Sequence, residues 1–197
     1  AVTIADENAA SATAAGSIAS VSLTNFGNST IDSGALTTLN VTGTGGTLGV
    51  TAGALTTAVV DTLAMNVTSA TAVGNITLDA DYTTLNITGS GTKSTVADIT
   101  TAGATTVTFA GAGELVFTDQ SLSGLTTVTS TNTAGVTLGT TAVGAGVTVT
   151  MGSGNDKVVM SNSATKAIDL GAGNDELTYG GAVSTAATST GAASGGD

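Results

Sequence analysis

Apolar and polar residues alternate with a period of two along short runs of this chain. Leu85 and Ile87, for example, are interleaved with Thr84, Asn86 and Thr88. A two-residue period puts all apolar side chains on one face, as in a strand with one buried side, and β-branched Thr, Val and Ile add strand propensity. The run recurs. LTTLNVTGTG at 36–45 returns as YTTLNITGSG at 82–91, and more loosely as LAMNVTS at 63–69, ATTVTFAGAG at 104–113 and LTTVTSTNTAG at 125–135. Its central apolar, polar, apolar triplet begins at Val21, Leu39, Met65, Leu85, Val107, Val128 and Val147, and then at Val158, Ile168 and Leu177. The intervals are 18, 26, 20, 22, 21 and 19, followed by 11, 10 and 9, so the period is expected to halve near residue 150.

A unit of some 20 residues with one short strand cannot enclose a core, so the copies must stack and cover one another's apolar side chains. The expected fold is all-β: a right-handed parallel β-helix or β-solenoid over 1–145, passing into a calcium β-roll over 146–180. Roughly ten coils at about 4.8 Å each give a rod about 50 Å long. Residues 181–197 read as a small-residue linker, and their final Gly195, Gly196 and Asp197 read as the opening of a further, truncated repeat. The chain has no Pro, in keeping with coils that each donate their N–H groups to a neighbour. An antiparallel sandwich of short strands is the alternative.

Composition narrows the chemistry. The chain of 197 residues has 14 acids against three Lys and no Arg, a net charge of −11, which repels nucleic-acid phosphate and anionic lipid. With no His and no Cys there is no thiolate, no Ser-His-Asp triad and no nitrogen or sulfur site for zinc, copper or iron. Oxygen ligands remain, and they favour calcium or magnesium. No apolar run is long enough to span a membrane as a helix, and no targeting signal is visible at the start.

Two stretches at the shortened period carry that chemistry: Gly152, Ser153, Gly154, Asn155, Asp156, and Gly171, Ala172, Gly173, Asn174, Asp175, each flanked by apolar residues. Both match the β-roll nonapeptide G-G-x-G-x-D-x-U-x except at its first Gly, where Met151 and Leu170 stand. Glycines permit the tight turn, Asp supplies a carboxylate, and the apolar residue opens the next strand. One such turn cannot supply the six to eight oxygens calcium takes. Asp156 and Asp175 are 19 apart, about one coil, and are expected on the same side of adjacent coils, with Met160 to Asp169 forming the opposite side. One calcium ion between them should stabilise the fold. Asp6, Glu7, Asp61, Asp79 and Asp81 could bind further calcium at turns, though solvated turn carboxylates are the commoner explanation.

The stretches 17–55 and 164–178 resemble the RTX-containing surface-layer proteins of the Caulobacter type. The resemblance implies a secreted, non-enzymatic structural protein whose subunits assemble with calcium into a two-dimensional lattice on the bacterial outer surface. A separate region of the full-length protein would hold that lattice to lipopolysaccharide. Carried over, the ligands are the carboxylates of Asp156 and Asp175 and carbonyls among Gly152, Gly154, Asn155, Gly171, Gly173 and Asn174. The alternative is a spacer or binding segment of a calcium-dependent RTX adhesin. The uneven spacing of 18 to 26 argues against an unbroken Thr row of the kind an ice-binding face needs. A polysaccharide-cleaving β-helix lacks an evident base.

Overall fold

The structure, a computed structural model, describes residues 1–56, 60–161 and 165–180. The linker expected over 181–197 lies outside the described residues. The strands are β1 (Val2–Ala5), β2 (Ser20–Phe26), β3 (Ser29–Asp32), β4 (Thr38–Gly45), β5 (Leu48–Thr51), β6 (Thr62–Thr77), β7 (Thr84–Ser90) and β8 (Ser94–Thr100). They continue as β9 (Thr106–Gly111), β10 (Leu115–Ser121), β11 (Thr127–Ser130), β12 (Val136–Val143), β13 (Thr148–Thr150), β14 (Lys157–Ser161), β15 (Ile168–Asp169) and β16 (Glu176–Gly180). No helix occurs among the described residues, and every strand pairing is parallel. The fold is a parallel β-solenoid of about seven turns, which at about 4.8 Å per turn is a rod about 35 Å long.

Each coil contributes to two stacks. The first runs β2, β4, β6, β7, β9, β11, β13, β15, and the second runs β1, β3, β5, β6, β8, β10, β12, β14, β16. The long β6 belongs to both, turning the corner at Ser69, whose φ of 46° is left-handed. The same corner is taken by Gly43 (φ 76°) and Gly91 (φ 72°), where a Cβ would lie 2.2 Å from Asn25 Oδ1 and from Ser69 Oγ respectively. In these two coils glycine suits both the left-handed dihedral and the close approach of the side chain stacked on it.

The core lies between the two stacks. Leu39, Val41, Leu63, Met65, Leu85 and Ile87 are all at most 1% exposed, and Phe109 and Phe117 meet with ring centroids 5.7 Å apart. The Thr-Thr doublet has its own cause. Thr37, Thr105 and Thr126, each the first of a pair, direct both N–H and hydroxyl to one carbonyl of the preceding coil. For Thr105 on the Thr83 carbonyl the two distances are 2.8 and 3.2 Å, and for Thr126 on the Thr105 carbonyl both are 2.9 Å. The second threonine opens the strand and faces outward.

Two expectations are corrected by the register. The period does not halve: Val21 pairs with Leu39, Leu39 with Met65, Leu63 with Leu85, Leu85 with Val107, Val107 with Val128, Val128 with Val149 and Val149 with Ile168. Coil length thus stays near 20 to the end. The apparent halving arises because Val158 and Leu177 belong to the second stack, whose earlier strands share no motif with the first. Counting those half-coils as whole ones is also why ten coils were expected. Secondly, a Thr row does form where the coils are even: Thr62, Thr84, Thr106, Thr127 and Thr148 stand in register on five successive strands. It stops at the longest coil, where Thr38 pairs with Ala64.

Candidate metal centre

At the corner leading from the first stack to the second, successive turns lie on top of one another. The turn 151–156 sits on the turn 131–136, with Ser153 N–H on the Asn132 carbonyl at 3.3 Å, and the turn 170–175 sits on 151–156, with Ala172 N–H on the Gly152 carbonyl at 3.0 Å. The two G-x-G-N-D motifs are in register residue for residue. Gly171 (φ 77°) packs where a Cβ would be 1.8 Å from the Gly152 carbonyl oxygen, and Gly173 (φ 144°) where one would be 2.2 Å from that of Gly154. Asn155 Oδ1 accepts the Asn174 N–H at 3.0 Å. The unit Met160 to Asp169, expected on the opposite side, spans both stacks: Met160 and Ser161 close β14, and Ile168 and Asp169 form β15.

Asp156 is the unusual residue. Thr137 pairs with Lys157 and Lys157 with Glu176, so the row one position earlier runs Ser94, Leu115, Val136, Asp156, Asp175. Its first four members are at most 1% exposed. A carboxylate thus occupies a core-facing position that holds Leu and Val in the coils before it. Asp156 Oδ1 accepts the Val136 N–H at 2.7 Å, while Oδ2 is buried with no hydrogen-bond partner. Burying a charge without full compensation is costly. Burial pushes its pKa up to about 6; the Val136 N–H opposes that rise, the Asp175 charge adds to it, and the Gly152 N–H opposes it.

Asp175 Oδ1 in turn accepts the Asp156 N–H at 2.9 Å. The neighbouring cation does not neutralise the pair, because Lys157 faces outward and bonds Glu176 at 2.8 Å. Two stacked carboxylates and a free buried oxygen suit a hard cation, with turn carbonyls as further donors. Among the described residues no three acidic side chains converge on one point. A site here therefore depends on backbone oxygens as much as on carboxylates.

Sequence reasoning missed Asn132, the residue that performs the corresponding task one coil earlier. It is fully buried; its Oδ1 accepts the N–H groups of Ala134 and Gly135 at 2.8 and 2.9 Å, and its Nδ2 donates to the carbonyls of Ala110 and Gly113 at 3.2 and 2.9 Å. Gly152 lies against the Asn132 carbonyl, and Gly171 lies against that of Gly152, so the later turns lack this amide. Two other acids, Asp79 and Asp6, anchor backbone N–H groups. Asp79 accepts the Ala52 N–H at 2.9 Å and the Asp81 N–H at 3.1 Å. Asp6, buried at the other end, gathers the N–H groups of Ser17 and Ile18 and the Ser33 hydroxyl at 2.7, 2.7 and 3.0 Å.

No protein-family model matches the chain, and no curated protein matches it.

Proposed function

We propose that this chain is a structural segment of a secreted bacterial surface-layer protein, a solenoid stiffened by calcium that self-assembles into a two-dimensional lattice on the outer surface. The calcium part is carried by one observation: Asp156 occupies a core-facing position with Oδ2 unpartnered and a second carboxylate stacked beside it. Asp156 and Asp175 would hold the ion, with carbonyls among Gly152, Gly154, Asn155, Gly171, Gly173 and Asn174. A bound cation supplies the charge that the buried pair lacks, joining the last two turns. An irregular set of carbonyls and two carboxylates suits calcium better than magnesium, which demands near-octahedral geometry and retains its water. The lattice part rests on the resemblance of 17–55 and 164–178, and anchoring to lipopolysaccharide falls to another region. The reading is structural, with no catalytic residues.

Circular dichroism and light scattering during a calcium titration, with magnesium as control, test this reading. Calcium alone is expected to raise the β signal and then drive ordered multimers. A chain indifferent to calcium overturns the metal assignment. If calcium orders a monomer that never assembles, the chain is instead a spacer or binding segment of a calcium-dependent adhesin. That second reading is favoured by the five threonines in register on the first stack.

A further inference from the structure

The charges of this acidic chain are not spread evenly over it. On the second stack the outward positions include Asp32, Asp98, Asp119, Lys157 and Glu176, and Asp98 and Asp119 are direct neighbours in the ladder. On the first stack every outward position of β2, β4, β6, β7, β9, β11 and β13 is Ser, Thr, Asn, Ala or Gly. The nearest charges are at its margins: Asp61, exposed, just before β6, and Asp169 on the last strand. A chain of net charge −11 thus keeps seven strands of one sheet face neutral.

That face is also ordered along its length. Asn66 Nδ2 donates to Asn40 Oδ1 at 2.8 Å and Asn40 Nδ2 to Ser22 Oγ at 3.0 Å, while the hydroxyls of Thr68 and Ser90, and of Thr108 and Thr129, meet at 2.7 and 3.2 Å. Side chains already fixed to one another lose little further freedom when covered. Seven strands about 4.8 Å apart, each presenting several outward residues, make a patch of roughly 500 Å². Two such patches bury about 1,000 Å², the least that a specific interface needs.

We infer that this neutral Ser/Thr/Asn face is where a second copy of the chain docks, face to face about a two-fold axis. Two copies approaching through their second stacks oppose carboxylate to carboxylate, whereas the first stacks meet without a charge between them. The two copies carry the same spacing between rungs, so rows of threonine methyls and hydroxyls interleave over the whole length, as an isologous contact requires. The inference rests on the reading of the chain as self-assembling and adds which surface does it.

Sedimentation velocity on the chain at rising concentration, in saturating calcium, tests it with three variants. Thr106→Lys with Thr127→Lys charges the neutral face at outward positions; Thr95→Lys with Thr137→Lys does the same on the second stack. Wild type is expected to associate, the first variant to lose at least about tenfold in association constant through like-charge opposition, and the second to associate like wild type, all with the same circular dichroism. Mixing the first variant with Thr106→Glu plus Thr127→Glu should restore association. If wild type associates with calcium but the first variant does so equally, the face is wrong and the self-assembling reading stands. If wild type stays monomeric at every concentration, both fall. A monomer that slows the growth of ice would reassign the face to ordered water and overturn the proposal.

Discussion

The turns 131–136 and 151–156 occupy the same corner of adjacent coils and meet the same demand in opposite ways. Carbonyls and N–H groups converge inside each turn and need partners of both kinds. In the earlier turn Asn132 supplies both from one buried amide and leaves nothing wanting. In the later one the amide is replaced by Gly152, and the buried group is a carboxylate hydrogen-bonded through Oδ1, with Oδ2 unpartnered. The first turn satisfies its polar groups within the protein, whereas the second keeps a buried carboxylate oxygen without a hydrogen-bond partner. Asp6 shows that burial alone does not raise a carboxylate's pKa. It is 95% buried with three donors on one oxygen and, like Asp156, none on the other, yet hydrogen bonding, led by the Ile18 N–H, holds its pKa below the usual value despite opposing desolvation.

The comparison breaks first at Asn132. Asn132→Ala leaves two buried carbonyls and two N–H groups without their partner, and should cost on the order of 3 kcal/mol in denaturant unfolding, with or without calcium. Next comes the ion itself. At a calcium concentration 100 times its Kd, wild type should gain about 2.7 kcal/mol, and Asp156→Asn should gain nothing, as read by the calcium-induced shift in Tm.

Proton linkage sharpens the same contrast without metal. Because the folded pKa of Asp156 is raised from 3.8 to about 6, the stability it confers when protonated is complete below pH 4 and is lost as pH rises through 6. Metal-free wild type should therefore lose about 2 kcal/mol relative to Asp156→Asn between pH 4 and pH 7. Asp6 has the opposite sign: its contribution is present above the ordinary carboxylate pKa and is lost on acidification. The smallest effect belongs to the threonine doublets. Thr105→Val removes one hydroxyl from a carbonyl that keeps its N–H partner, and should cost about 1 kcal/mol at most and leave calcium binding unchanged in a titration.

Much of this was legible in the residues. The two-residue period around Leu85 and Ile87 and the recurrence of the Thr-Thr doublet point to stacked parallel strands, because both arise from contacts repeated in every coil. The second stack escaped notice because its strands, from Ser29–Asp32 to Val136–Val143, repeat no such contact, and β12 carries a register irregularity between Leu138 and Val143. The stacking of Asp156 on Asp175 followed from their spacing. That Asp156 faces the core did not, because a shift of one residue at a strand's start exchanges inside for outside. Asn132 left no signal, since a single asparagine in a Thr-rich turn has no second copy to set it apart.

Coil length varies from 18 to 26 residues while the rows stay in register, which separates a ruler from a margin. The strands fix the rise, and the turns between stacks take up whatever length they are given. For a protein engineer the turn between β12 and β13, where a Cβ on Gly146 would meet nothing within 4 Å, is the natural seat for a guest peptide. An insert there would be displayed at the rim of the rod without altering the repeat of either broad surface.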